Sequence, residues 1–230
     1  MTWLGPQEWQ ALALSLRVAF WATLISLPIG IFIAYVLARW RFPGYSLLNA
    51  VVFVPLILPP VVTGYLLLIT LSPRAPVGAF LESLGIVVAF DWTGAAIAAA
   101  IMAFPLMVRA IRLSIEAIDV KLEGAASTLG ASPLWVFFTV TLPLALPGIL
   151  AGAVMAFAKA IGEFGATITF VSNIPGKTQT IPSAIYSFLQ IPGGETAALR
   201  LAMISLAIAF GAVIASEIFS RRLSKRIRGS

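Results

Sequence analysis

The segment ALALSLRVAFWATLISLPIGIFIAYVLA, residues 11–38, decides the class of fold. Only Arg17 and Pro28 interrupt its apolar character. About 20 consecutive apolar residues are enough to cross the hydrocarbon core of a bilayer as an α-helix. The segment is therefore predicted to be a membrane-spanning helix.

The composition of the whole chain agrees with this prediction. Hydrophobic residues make up 60% of the 230 positions and charged residues only 10%, whereas a soluble globular domain carries roughly 25% charged residues. So few charges cannot cover the surface of a water-soluble fold, and we predict an integral membrane protein. Since cysteine and histidine are both absent, disulfides and cysteine- or histidine-based metal sites and catalysis are excluded.

Further apolar segments follow along the chain. We predict an all-α membrane domain of about five spans over residues 10–221, followed by a basic tail at 222–230. No Lys or Arg precedes the first span, so it is not expected to be a cleaved signal peptide. The predicted spans are 11–38, 47–71, 92–111, 142–162 and 198–219.

Lysine and arginine accumulate in alternate loops, and such loops are cytoplasmic. We therefore expect the N-terminus outside, the C-terminus inside, and the loop 112–141 in the cytoplasm. Because these cations flank apolar spans instead of forming one face, lipid headgroups and not nucleic acid are their expected partners. The residues are Arg39 and Arg41 after span one, Arg109, Arg112 and Lys121 after span three, and Arg221, Arg222, Lys225, Arg226 and Arg228 after span five.

One stretch superficially resembles a nucleotide-binding motif. PGKT, residues 175–178, ends like a P-loop, but Val171 occupies the place of the first glycine of that motif. The expected position outside the membrane also separates it from ATP. We expect the chain itself to bind no cofactor.

The predicted cytoplasmic loop contains KLEGAASTLGASPLWVFFTVTLP, residues 121–143. Good helix formers with small side chains run to Leu129, and Gly130 breaks the helix. Ser132-Pro133 has the pattern of an N-cap followed by proline at the first helical position. A second helix with Trp135, Phe137 and Phe138 is predicted to return to the membrane at Leu142. Small and aromatic residues on such a helix pair predict a docking element; a plain connecting loop is the alternative.

Lys159 and Glu163 lie one helical turn apart near the expected outer end of span four, so their charges can meet. Ionisable groups at membrane depth are costly and suggest function. The sequence leaves two interpretations open: a neutralising structural pair, or a pair beside a translocation path or gate. The further candidates for such a path are Thr167, Thr169, Ser172 and Asn173.

Prolines are concentrated in VPLILPP, residues 54–60. Proline kinks a helix, and in a bilayer the freed backbone groups are tolerated where protein or a water-filled cavity satisfies them. Packing kinks and a moving or pore-lining helix both remain possible.

The docking block resembles the coupling loop of the permease subunits of type I ABC importers. Their loop reads E-A-A, three residues, G, nine residues, I-x-L-P. Here Gly130 follows Ala125-Ala126 at the family spacing, while Glu123 lies one residue before the family's glutamate position and Val140 replaces isoleucine. The resemblance implies that the ATPase-coupling residues are Glu123, Ala125, Ala126, Gly130, Ser132, Trp135, Phe137, Leu142 and Pro143.

Three other stretches are similar to the bacterial molybdate permeases. They are YVLARWRFPG (35–44), VPLILPPVVTGYLLL (54–68) and GEFGATITFVSNIPGKTQTIPSAIYSFLQIPGGE (162–195). GEFGA alone is shared with sulfate and tungstate permeases, so these substrates stay open.

The resemblance implies a homodimer in the bacterial inner membrane. Two partner ATPase subunits would use ATP and Mg, and an extracytoplasmic binding protein would deliver molybdate. A stand-alone channel or ion-driven carrier would favour paired intramembrane acids or an inverted repeat, and neither is visible. A membrane enzyme is disfavoured because no catalytic dyad is recognisable.

Overall fold

The computed structural model describes residues 3–228, with side chains described as far as residue 218. Every regular element in this range is helical, which confirms the predicted fold class. The helices are α1 (Pro6–Arg39), α2 (Tyr45–Ile57), α3 (Pro60–Leu71), α4 (Pro76–Ser83), α5 (Trp92–Glu116), α6 (Val120–Thr128), α7 (Pro133–Ile161), α8 (Gly165–Val171), α9 (Ile181–Phe188) and α10 (Glu195–Arg228).

Four of the described helices are long and apolar enough to cross a membrane, namely α1, α5, α7 and α10 up to Ile218. They overlap the segments predicted as spans one, three, four and five. The predicted basic tail continues α10 as far as Arg228. Residues 229 and 230 of that tail lie outside the described residues.

The segment predicted as the second span, 47–71, is not one continuous helix. It forms α2 and α3, whose axes differ in direction by 113°. Leu58, between them, is extended, as expected for a residue that precedes proline. Pro59 and Pro60 have no N–H to continue the hydrogen bonds of α2, whereas proline is well suited to the first position of α3. The break therefore follows from the two adjacent prolines.

Helix α5 is the centre of the bundle. In the 18-residue apolar stretch of α5 that could cross a membrane, 61% of the residues are buried, compared with 11% in the corresponding stretch of α10. Small residues allow α1 and α7 to pack closely on either side of it. A Cβ on Gly148 of α7 would lie 2.1 Å from the Cβ of Ser114 in α5, so glycine is required for this approach.

Two ion pairs identify the ends of the bundle. Arg39, at the end of α1, pairs with Glu123 of α6, and we call this the α6 end. Glu8, at the start of α1, pairs with Arg200 near the start of α10, and we call this the far end. Lys159 and Glu163, at the other end of α7 from α6, belong to the far end.

Candidate coupling site and far-end polar cluster

Helix α6 begins and ends with standard capping interactions. The Asp119 carboxylate accepts a hydrogen bond from the Lys121 N–H at 2.9 Å. At the other end Gly130 has φ +88°, and the Ala131 N–H donates to the carbonyl of Ala126 at 3.2 Å, as in a Schellman cap. Gly130 therefore ends the helix, as the sequence predicted.

The second half of the predicted docking pair differs from the expectation. Ser132 is the N-cap, accepting from the Trp135 N–H at 3.3 Å, and Pro133 takes the first position, as predicted. However, no separate short helix forms, because α7 continues from Pro133 into the membrane-length segment. A π turn at Phe137–Thr141 ends two residues before Pro143. Widening this turn allows the helix to pass a residue that cannot donate a backbone hydrogen bond.

Glu123 points from α6 towards the bundle. Arg39 donates from Nε to Oε2 at 3.0 Å and from Nη2 to Oε1 at 3.1 Å. The hydroxyl of Thr141, which is fully buried in the π turn, donates to Oε1 at 2.7 Å. Arg39 Nη2 also donates to the carbonyl of Ile118 at 3.1 Å. Sequence reasoning assigned Glu123 to the coupling site but missed Arg39 and Thr141.

The surface around α6 exposes large apolar side chains. Phe137, predicted on this docking face, instead packs against Tyr35 of α1 with ring centroids 4.9 Å apart. Among the other predicted coupling residues, Ala125 and Pro143 are exposed, while Ala126 and Leu142 are half-buried. The exposed large apolar side chains of α6, its C-cap residue and the start of α7 are Val120, Leu122, Leu129, Leu134, Trp135 and Phe138.

At the far end, Lys159 and Glu163 meet as their spacing predicted. Lys159 Nζ lies 3.1 Å from Glu163 Oε2. The Glu163 side chain is 1% exposed and that of Lys159 is 35% exposed. Glu163 Oε1 also accepts a hydrogen bond from the Ala166 N–H at 3.0 Å. The carboxylate therefore both pairs with lysine and satisfies the first turn of α8.

Of the other predicted path residues, Thr167 hydrogen-bonds to the backbone carbonyl of Glu163 at 3.3 Å, and the rest bond elsewhere among the described residues. Thr167 donates to the carbonyl of Phe164 at 2.9 Å, and Thr169 to that of Gly165 at 2.8 Å. Ser172 is exposed, with φ +66°. Asn173 Nδ2 donates to the hydroxyl of Ser187 at 2.6 Å. The polarity predicted here is largely satisfied locally.

Helix α3 packs closely on α8. A Cβ on Gly64 would lie 2.4 Å from the carbonyl oxygen of Ala166. The adjacent Thr63 is buried, and its hydroxyl has no hydrogen-bond partner among the described residues. Because of this contact, the second half of the bent helix pair lies against the segment capped by Glu163.

A second far-end ion pair joins α1 to α10. Arg200 donates from Nε to Glu8 Oε1 at 2.8 Å and from Nη2 to Oε2 at 2.9 Å. The Gly5 N–H also donates to Oε2 at 2.6 Å. Glu8 is 3% exposed, so the arginine satisfies a carboxylate that has little access to water.

These features define a multi-pass helical membrane protein with a short helix held at one end of the bundle. Residues 26–226 match the family described as the binding-protein-dependent transport system inner membrane component. The chain therefore belongs to this family of inner-membrane proteins.

Two relatives agree with the family match over nearly their whole length. The molybdenum transport system permease protein ModB of Escherichia coli K12 is 59% identical over 219 residues, 95% of this chain and 96% of that protein. The ModB of Haemophilus influenzae is 53% identical over 221 residues, 96% of each chain.

A solved structure is similar in fold. It is a bacterial alginate ABC transporter in complex with an alginate pentasaccharide-bound periplasmic protein, with TM-score 0.76 and 18% identity. The match covers 96% of this chain and 81% of the other. At this identity the likeness concerns the fold alone.

Proposed function

We propose that the chain is the membrane permease subunit of an ATP-driven importer of molybdate. The observation that carries the class is α6, a capped helix with an exposed apolar surface, held to the bundle by a largely buried ion pair. A permease driven by a separate ATPase needs such an element, because movement of the partner must reach the membrane helices.

The substrate is inferred from the two ModB relatives, which share more than half of their residues with this chain. Tungstate and sulfate are tetrahedral oxyanions of the same charge and remain the competing substrates. Lys159 and the hydroxyls of Thr167 and Thr169 are our candidates for the path, with Glu163, Ser172 and Asn173 beside them.

The proposed assembly is a homodimer of this chain with two ATPase subunits at the α6 end. That end lies in the cytoplasm according to the distribution of Lys and Arg. An extracytoplasmic binding protein delivers the anion at the far end. ATP and Mg act in the partner ATPase, and the permease contributes the docking surface and the path.

Reconstitution tests this function. The chain, the ATPase and the binding protein are placed in lipid vesicles, and uptake of labelled molybdate is measured with ATP or ADP on the α6 side. We expect uptake to require ATP and all three components. We also expect excess sulfate to inhibit molybdate uptake less than excess tungstate does. Uptake without the ATPase would contradict the proposal and favour a channel or an ion-driven carrier.

A further inference from the structure

Helix α6 has few contacts that fix its position. None of its residues, all of which lie in the described range, is buried. Apolar burial therefore contributes little to holding this helix against the bundle. Ser127 and Thr128 donate to carbonyl groups of α6 itself. The position of α6 consequently depends on the polar contacts that reach other helices.

Glu123 supplies such contacts to two helices at once. The fork of Arg39 binds both of its oxygens, which fixes orientation as well as distance. Thr141 adds a donor from the π turn of α7. Arg39 also binds the carbonyl of Ile118, two residues before the start of α6. The end of α1, the start of α6 and the start of α7 therefore meet at one carboxylate.

The surroundings of this cluster make it stiffer than an ordinary surface pair. The side chains of Arg39 and Glu123 are only 12% and 13% exposed. A nearby pair within α5, Arg112 and Glu116, is 24% and 37% exposed. Exposed pairs within one helix contribute little, because water and salt screen them. The Glu123 cluster is therefore expected to hold its helices together more strongly than the Arg112–Glu116 pair does.

Helix α1 extends this connection across the bundle. It is one helix of 34 residues, and Glu8 at its other end binds Arg200 of α10. A displacement of α6 therefore acts on a helix that reaches the far end. A flexible loop alone would absorb the same displacement.

We propose that Arg39, Glu123 and Thr141 form a latch that makes α6 move as one body with the end of α1 and the start of α7. Arg39 and Thr141 are then positioning residues for the coupling of ATP hydrolysis to transport. This role rests on the proposed function.

The functional test compares reconstituted complexes carrying Arg39→Gln, Arg39→Lys, or the exchanged pair Arg39→Glu with Glu123→Arg. Co-purified ATPase, ATP hydrolysis and molybdate uptake are measured for each. We expect Arg39→Gln to retain the ATPase but to lower uptake per ATP by about tenfold. Arg39→Lys keeps the charge but not the fork, and the exchanged pair restores the ion pair without the contact to the Ile118 carbonyl, so each should recover part of the loss. Glu116→Gln, in the exposed pair of α5, is the matched control and should match wild type.

Two results would overturn the latch. One is wild-type uptake per ATP in Arg39→Gln. The other is loss of ATPase binding by that variant, since this would place the defect in docking. An exchanged pair that is no better than Arg39→Gln also counts against the proposal.

A second readout does not depend on the substrate. The chain has no cysteine, so spin labels can be placed at Ser127→Cys and Arg41→Cys, both at exposed positions. We expect one narrow distance distribution in the otherwise wild-type protein and a broader one with Arg39→Gln. Equal distributions would overturn the latch, whereas a narrow distribution in a complex that imports no molybdate would contradict only the proposed function.

Discussion

Gly130 owes its importance to its backbone conformation and not to lack of space. Its φ of +88° lies in the left-handed region, and among the described residues no atom lies within 4 Å of the place a Cβ would take. Gly124, one turn and a half earlier, has the same empty surroundings but a helical backbone. The two glycines therefore make a matched pair.

We expect Gly130→Ala to destabilise α6 locally, since an L-residue in this conformation costs roughly 1–2 kcal/mol. Amide hydrogen exchange in α6 should accelerate by about tenfold. Gly124→Ala should slow it, because alanine favours a helix interior by about 1 kcal/mol over glycine. Equal exchange in the two variants would show that the backbone conformation of Gly130 does not limit the helix.

Glu123 illustrates what the sequence could and could not predict about single residues. Its presence in a docking block was visible from local spacing. Its partner Arg39 is 84 residues away, and no local pattern connects the two. Arg39 had an adequate explanation as a charge that sets membrane orientation, so nothing in the sequence required a second role for it.

Helix α8 depends on Glu163 for its first turn, and Glu163 in turn depends on Lys159. Breaking a buried ion pair by removing one partner typically costs 3–5 kcal/mol. The lysine is partly exposed, so water compensates for some of this. The geometry favours the structural interpretation of the pair, and its role in the path stays a prediction.

We expect Lys159→Met to lower the free energy of unfolding by about 2 kcal/mol. Lys159→Met with Glu163→Gln should recover most of it, because the glutamine oxygen still accepts from Ala166. Unfolding in mixed micelles and molybdate uptake are measured together. If the double variant is as stable as wild type but imports no molybdate, the pair acts in the path and the structural interpretation is wrong.

The long helices were predictable because apolar length alone identifies them. The bend between α2 and α3 was predictable only as a weak point at Pro59-Pro60. Its angle of 113° depends on α3 resting against α8 at Gly64, a contact between segments about 100 residues apart. The π turn had no signal either, and its residues looked like a separate docking helix.

Taken as a whole, the molecule packs around α5, and an ion pair joins each end of α1 to a neighbouring helix. The pair at the far end matters most for α10, whose apolar window is only 11% buried. So little burial contributes little to holding α10 against the bundle. The bidentate contact between Glu8 and Arg200 provides additional stabilisation.

We expect Arg200→Met to lower the free energy of unfolding, because it leaves the buried Glu8 carboxylate without its charged partner. Arg74→Met, at an exposed position, is the control and should change stability by less than about 0.5 kcal/mol. Unfolding in mixed micelles measures both. An unchanged stability in Arg200→Met would show that packing alone seats α10.

The π turn at Phe137–Thr141 has an evolutionary consequence. A π turn holds one residue more than an α turn, and each residue of an α-helix advances the chain by about 100°. Because the π turn accommodates its extra residue within one turn, deleting a single codon here would convert it to an α turn and leave Leu134 and Trp135 facing nearly the same way. The same deletion in a regular part of α7 would rotate them by about 100°. A one-residue insertion or deletion at this turn is thus tolerated without turning the exposed start of α7 or redesigning the bundle behind it.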